Sequence, residues 1–255
     1  MALRAQVAWF RELAARGFPQ INAGAGFAVS TGLASNTENG AVISPSVFGS
    51  RDELDVLLVW LRERAVPASV LVTGQLGPQA IADLIDRGLE PELTGNNMGR
   101  LLAGFDAGIA GRPPGWQIVE VTDAWAVREN HRVYADDDWW DETGELDHHI
   151  EVTIRLGFGP GRPVRHWTAR HQGAAVGAAT SFQFGDAVLL VRACVAAPLR
   201  RQGIGTALTQ ARLAAAVNRG TVQAVLSPSP DGYHLHHSLG FELAPVHPNR
   251  WFYLR

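Results

Sequence analysis

Lysine is absent: all 22 basic residues of the chain are arginine. That removes Schiff-base chemistry and excludes a P-loop, whose lysine reaches the phosphates. Cysteine occurs once, at Cys194, which excludes a disulfide framework and points to a reducing compartment. An excess of either charge is also missing. Twenty-five acidic residues bring the net charge to −3, so no polyanion-binding surface is implied and nucleic acid is not expected as a partner. No apolar run approaches membrane-spanning length, and residues 1–11 read as an amphipathic helix and not a signal peptide. A soluble, cytoplasmic protein without a membrane partner is the expectation. Apolar residues, by contrast, make up 46% of 255, enough for one large or two small cores.

The most informative stretch begins at Val188 and runs through Gly205 into the residues beyond. A β-branched apolar run ends in Ala196-Ala-Pro-Leu199, followed by Arg200-Arg-Gln-Gly-Ile-Gly205. Ile204, Ala207, Leu208, Ala211 and Ala215 then recur at helical spacing, and Asn218-Arg219-Gly220 is a helix stop. Glycines therefore stand at a strand-to-helix turn, where the first N–H groups of the helix lack intrahelical partners and the dipole is positive. Two arginines add charge. This is an anion cradle, suited to a phosphate or pyrophosphate. A dinucleotide fingerprint is disfavoured, because Leu208 stands where a third glycine belongs and Ser227 where an acidic residue would end the next strand.

Arg200-x-x-Gly203-x-Gly205 resembles the acyl-CoA pyrophosphate loop of the GNAT superfamily of N-acyltransferases. The strand 221–226, the helix 233–239 and Gly240-Phe241-Glu242 continue that family's order, so the resemblance runs from about Trp116 to the C-terminus. It implies that Arg200, Arg201, Gln202, Gly203, Ile204, Gly205 and Thr206 cradle the pyrophosphate of acetyl-CoA, the acyl donor. It also implies that the backbone of Ala193, Cys194 and Val195 pairs with the pantetheine arm. Cys194 itself reads as a small buried residue and not a nucleophile. Many members carry a tyrosine four residues before the glycine of Leu-Gly-Phe, as the acid that protonates the leaving thiolate. Here that position is His236, a departure, with Tyr233 one turn earlier as the alternative acid. Arg192 occupies a strand position where an acidic base might have stood; Asp137, Asp138, His166 and His171 are the remaining candidates for a base.

The chain before position 107 echoes the second half. Residues 2–16 read as a helix, 26–31 and 41–44 as strands, 51–64 as a helix, 69–73 as a strand and 79–86 as a helix. At a constant offset helix 51–64 falls on helix 203–216 and Gly88-Leu89-Glu90 on Gly240-Phe241-Glu242. The cradle does not repeat: Phe48, Arg51 and Glu53 stand opposite Arg200, Gly203 and Gly205, and Leu84 opposite His236. The expected architecture is α/β, two GNAT-like mixed-sheet domains of which the C-terminal one is complete: a degenerate domain at 1–106, a Gly/Pro-rich linker at 107–115, and the acyltransferase domain at 116–255.

Within that second domain 116–121 alternates as a strand, 123–134 reads as a helix, 150–156 alternates as a strand, and 164–170, Ala174–Phe184 and Ala187–Val195 form an antiparallel meander. Between them, Asp136-Asp-Asp-Trp-Trp140 joins negative charge to aromatic faces. The resemblance puts this stretch on the acceptor pocket, where Asp137, Asp138 and Trp139 would attract and stack a cationic amine. His148 and His149 read as surface residues; adjacent histidines diverge, and no metal site is expected. The function implied is acetyl transfer from acetyl-CoA to a primary amine of a small molecule, by a monomer or homodimer. The alternatives are a non-catalytic acyl-CoA-binding regulator and an acyltransferase with a longer acyl donor.

Overall fold

A computed structural model of the protein describes residues 2–49, 51–92, 97–105, 115–135, 145–244 and 250–254. The chain divides into two compact units, Met1–Gly95 with Pro245–Arg255 and Asn96–Ala244. This differs from a division at 107–115 (of which 107–114 lie outside the described residues). Strand pairing is the reason: a strand at the C-terminus belongs to the first sheet, and a strand at 98–101 to the second.

In the first unit the elements are α1 (Ala2–Ala15), β1 (Gln20–Ala23), β2 (Gly26–Ser30), β3 (Asn39–Ile43), α2 (Arg51–Arg62), β4 (Ala68–Val72), α3 (Pro78–Asp86) and β5 (Leu89–Pro91). The apolar stripe of α2 (Leu54, Leu57, Leu58, Leu61) is buried against Ala41, Ile43, Val70 and Val72 of the sheet. Gln20–Ala23, outside the elements expected from the sequence, pairs antiparallel with β2.

The second unit contains β6 (Met98–Leu101), β7 (Trp116–Glu120), α4 (Ala124–Ala135), α5 (Leu146–Leu156), β8 (Val164–His171), β9 (Ala174–Phe184), β10 (Ala187–Val195), α6 (Ile204–Val217), β11 (Gln223–Leu226), α7 (Pro230–Ser238) and β12 (Glu242–Leu243); β13 (Trp251–Leu254) closes the chain in the first unit. The sheet orders are β1-β2-β3-β4-β13-β5 and β12-β6-β11-β10-β9-β8-β7. Both are mixed, with parallel pairs only at β3–β4 and β10–β11 among the registers described.

The alternating stretch 150–156 is helical, not extended. Its buried positions are His149, Ile150, Val152, Thr153 and Leu156, so two polar residues complete the helical face. Thr153 Oγ1 lies 2.8 Å from His131 Nε2, which satisfies its hydroxyl in the core. His149 is correspondingly buried, at 3% exposure, and is not a surface residue.

Candidate active site

β10 and β11 are in parallel register over Ala187↔Gln223, Val188↔Ala224 and Leu189↔Val225. Beyond that the ladder stops, and β10 continues to Val195 paired with β9. The break coincides with a bulge between Val191 and Ala193, where Arg192 takes φ 43°. A bulge adds a residue to one strand, bends it and orphans local backbone groups. Side chains take up those carbonyls. Arg212, wholly buried on α6, donates from Nη1 to Thr180 O at 3.1 Å and Val191 O at 3.3 Å. The hydroxyl of buried Tyr134 donates to Arg192 O at 3.4 Å. Burial lowers the Arg212 pKa to about 10, opposed by Tyr134, which leaves a cation at neutral pH. The result is a held-open V between β10 and β11.

The chain leaves β10 through a 3-10 turn at Ala197–Leu199 and reaches α6 by way of Arg201 at φ 64° and Gly203 at φ 82°. Two left-handed residues in so short a span fold the backbone into a concave run of N–H groups, a geometry that binds anions. Arg200 Nε donates to Val195 O at 3.0 Å, tying the turn to the end of β10. Arg200, Arg201, Gln202 and Gly203 are exposed, Gly205 and Thr206 half-buried. The side chain of Ile204 is buried against Trp167 and Leu208, so only its backbone faces the turn.

The two glycines differ in physical reason. A Cβ on Gly203 would meet nothing within 4 Å, so its requirement is the positive φ and the open space above it. A Cβ on Gly205 would stand 2.9 Å from Leu235 Cδ1; this glycine lets α7 approach α6. Such spacing-based motifs do not separate the two uses.

Helix α7 starts on Ser229, whose Oγ accepts from the Gly232 N–H at 3.1 Å, with Pro230 next. It ends in a Schellman cap: Phe241 N–H to His236 O at 3.1 Å, Gly240 N–H to His237 O at 2.9 Å, with Gly240 at φ 78°. Leu-Gly-Phe is thus a helix stop, with Phe241 edge-on to the His236 ring at 5.6 Å. His236 is half-buried and its Nδ1 has no hydrogen-bond partner. Burial, reinforced by the charge of Arg212, lowers its pKa to about 4. At neutral pH the ring is therefore neutral, not the imidazolium that a histidine acid would use. Tyr233 stacks on His237 at 5.9 Å and lies against the cluster of Leu213, Phe241 and neighbouring buried residues.

Cys194 is buried, and its thiol donates to Val133 O at 3.6 Å, which suits packing and not nucleophilic attack. His166 is 2% exposed and bonded to Thr180 Oγ1 at 2.9 Å; burial, then the charge of Arg192, lowers its pKa to about 3. His171 stacks on Trp116 at 4.3 Å. Asp137, Asp138 and Trp139 lie outside the described residues. No cluster of three or more His, Cys, Asp or Glu suited to a metal ion occurs among the described residues, and no helix there is long and apolar enough to cross a membrane. A groove of about 740 Å³ along α6, β7 and β8 contains none of these residues. Its Arg165 is bound by Glu120 through Nε at 2.7 Å and Nη2 at 2.5 Å, which neutralises it as an anion site.

Sequence reasoning missed Arg212 and Tyr134. Arg212 carried a signal: it follows Ile204 and Leu208 at four-residue steps, a charge on an otherwise apolar helix face.

The first unit keeps the scaffold without the V. β3 and β4 pair from Gly40↔Ser69 through Ile43↔Val72, and Thr73 N–H continues to Ile43 O at 3.0 Å. Phe48 lies against the core and Glu53 Oε2 accepts from the Ala25 N–H at 3.4 Å, where the second unit has Arg200 and Gly205.

A profile of the acetyltransferase (GNAT) family matches residues 122–241. Among solved structures the chain is similar to a GCN5-related N-acetyltransferase from Kribbella flavida, at 17% identity and TM-score 0.68, over 99% of this chain and 93% of that one. It is similar also to a tandem GNAT protein from the clavulanic acid biosynthesis pathway, at 15% identity and TM-score 0.56, over 98% and 94%. A third, a GCN5-related N-acetyltransferase from Sphaerobacter thermophilus, has 14% identity and TM-score 0.51 over 90% and 76%. At these identities the likeness is one of fold. No curated protein matches the chain by sequence. The strand pair that opens at a bulge and the glycine turn into α6 both lie within residues 122–241, the part of the chain that is similar to the GNAT acetyltransferase family.

Proposed function

We propose that the protein is an acyl-CoA-dependent N-acetyltransferase that acts from its second unit on a primary amine of a small molecule, in the cytoplasm. One observation carries this: the β10–β11 opening and the left-handed Arg201–Gly203 turn occur together at the mouth of α6, whereas β3 and β4 of the first unit stay paired to Ile43↔Val72. Acyl-CoA fits this cradle, because the turn presents N–H groups and two arginines to a pyrophosphate, with open space over Gly203. Arg200, Arg201, Gln202, Gly203, Gly205 and Thr206 would hold it there, the last two through their amides, as would that of Ile204. Ala193, Cys194 and Val195 would line the pantetheine arm along β10. The bound donor supplies an activated thioester.

His236 serves this reading as a neutral ring with one N–H, a hydrogen-bond donor to charge developing on sulfur, not as an imidazolium acid. Tyr233, one turn earlier on α7, is the alternative proton source. Asp137, Asp138 and Trp139 would recruit the cationic acceptor. A ring held neutral at His236 leaves no imidazolium acid there, which favours a second reading, acyl-CoA binding without turnover; an acyl donor longer than acetyl is the other alternative. Calorimetric titration with acetyl-CoA tests the binding claim, and release of free CoA against a panel of small amines and aminoglycosides tests turnover. One acetyl-CoA per chain with amine-dependent CoA release is expected. Absence of binding would sink both readings, and binding without release from any amine would leave the regulator.

A further inference from the structure

The bulge in β10 places an arginine where the backbone is strained. Arg192 takes φ 43°, a left-handed value that glycine and asparagine adopt more readily than a long side chain does. Strain of this kind collects at functional sites, and a bulge re-aims the side chain that it carries. Two residues before buried Cys194, Arg192 shares the sheet face that packs on Val133 and Tyr134 of α4. Its charge acts on that face from three sides. Burial, His166 and then Arg192 lower the pKa of His131 on α4. Burial and then Arg192 lower those of His149 on α5 and His166 on β8, each to about 3. Glu145 Oε2 lies only 3.9 Å from His149 Nε2, yet His149 falls all the same. The three rings are neutral at pH 7, and the potential that they sense is positive.

A fixed cation among neutral rings suits an anion and repels a second cation. Arg192 directly precedes Ala193, whose backbone would border the pantetheine arm. Arg192 is half-buried and Ala193 exposed, so the side chain stands in the wall of the opening and is not sealed in the core. A guanidinium is a planar fork that meets a carboxylate through two N–H groups. It carries five such donors, so a bound carboxylate can share it with acceptors of the protein. We propose that Arg192 receives a carboxylate of the acceptor, which makes the acceptor class an amino acid, or another amine with a carboxylate close to its nitrogen, and not a polycation such as an aminoglycoside. This rests on the acetyl-transfer reading: the amine would face the thioester beside Ala193 while its carboxylate lies on the neighbouring residue. Asp137 and Asp138 would take the ammonium end of such a zwitterion, and Arg192 the other.

The test sets each of the twenty common amino acids against its own α-amide, and against kanamycin, on the full chain. Calorimetry with and without CoA reads binding, and CoA release reads turnover. A hydrogen bond to a charged group corresponds to roughly 10- to 100-fold, so the best acid should exceed its amide and kanamycin at least tenfold in both affinity and kcat/KM. Arg192→Asn keeps a residue that tolerates positive φ, so its melting temperature should hold, while the acid-to-amide ratio should fall to about one. Arg192→Lys keeps the charge without the fork and should show a ratio in between. Equal binding of acid and amide, preference for kanamycin, or failure to bind any acid would overturn the proposal. So would an Arg192→Asn protein that keeps the wild-type ratio or loses acid and amide equally. Wild-type protein without acetyl-CoA binding would end the acyl-transfer reading instead, and calorimetry of acid against amide without CoA would still judge this one.

Discussion

Replacing Gly203 and Gly205 in turn separates anion binding from helix packing. Gly203 sits at φ 82°, ψ 1° as the N-cap of α6, and nothing lies within 4 Å of an added Cβ. Gly203→Ala therefore meets no neighbour, and its cost is conformational, about 1–2 kcal/mol for a non-glycine residue in the left-handed region. For a chain of this size that lowers Tm by roughly 2–8 °C, at about 2–4 °C per kcal/mol. Gly203→Glu adds a carboxylate where the pyrophosphate would lie. At about 4 Å each charge pair costs about 1 kcal/mol in bulk water and about 4 kcal/mol near a protein surface, so acetyl-CoA affinity should fall by roughly 5- to 1000-fold. Gly205→Ala behaves differently. Its helical position gains about 1 kcal/mol of propensity, offset by Leu235 Cδ1 at 2.9 Å, the far end of a flexible side chain. Stability should change by less than about 1 kcal/mol, acetyl-CoA affinity by less than about threefold, and any loss should appear in kcat, because α7 carries His236. Calorimetry and thermal melts on the three variants check this. A Gly203→Glu protein that binds acetyl-CoA like wild type would refute the anion cradle.

His236→Ala should lower kcat by roughly 10²–10⁴ if the ring assists the leaving sulfur, with acetyl-CoA affinity unchanged. Because its pKa lies at about 4, the wild-type kcat profile should show no break from this residue near pH 6.5; a break there that disappears in the alanine variant would refute the neutral ring. For His166 the folded pKa of about 3 lies below the unfolded 6.5. The unfolded state takes the proton first, so stability is full above pH 6.5 and is lost as pH falls toward 3. At up to about 1.4 kcal/mol per pH unit, this one residue removes at most about 2 kcal/mol between pH 6.5 and pH 5; urea titrations at pH 7 and 5 should show a smaller loss in His166→Gln, and equal losses would place the ring in contact with water. Changing Asp137 and Asp138 together to Asn should raise the acceptor KM and flatten its salt dependence without moving acetyl-CoA affinity; a variant with wild-type KM would make that stretch mere solvated surface.

Much of the second unit was legible because its signals are local. The helix α6 and the glycine turn before it stand where the sequence puts them, but the buried face is Ile204, Leu208, Thr209, Arg212, Leu213 and Ala216, while Ala207, Ala211 and Ala215 of the expected stripe are only half-buried. The α5 helix was not legible because two of its core positions are polar. His149 and Thr153 complete the buried face only through burial beside α4, and Thr153 is satisfied by His131; without them Ile150, Val152, Ile154 and Leu156 alternate like a strand, although Ile154 is 39% exposed. The destinations of β6 and β13 were illegible for another reason. Each is four residues long, and pairing over more than a hundred residues leaves no trace in local periodicity. Composition shift marked 107–115 as a boundary, but sheet membership, which decides the units, is a long-range property.

What makes one unit open and the other closed comes down to a few positions related by the constant offset of 152 residues between the halves. Arg192, the bulge residue, corresponds to Gly40, which pairs regularly with Ser69 and Val29. An added Cβ there would lie 2.2 Å from Ser69 O and 2.7 Å from the Phe10 ring, so the site has room for neither a bulge nor a side chain. Arg212, which donates to the carbonyls beside the bulge, corresponds to Trp60, a half-buried ring under the Arg64 guanidinium at 3.3 Å. Gly205 corresponds to Glu53, whose carboxylate would overlap a Cβ on Gly24 at 1.8 Å and bonds the next amide. A bulge without a buried donor would strand carbonyls at about 1–3 kcal/mol each, and a buried arginine without those carbonyls would be an unpaired charge. The two are thus mutually dependent, and a half that lost either would be driven to close its strand pair. Closure in the first unit fits this coupling: with Gly40 in the regular ladder, no carbonyl is stranded there for an arginine at position 60 to hold.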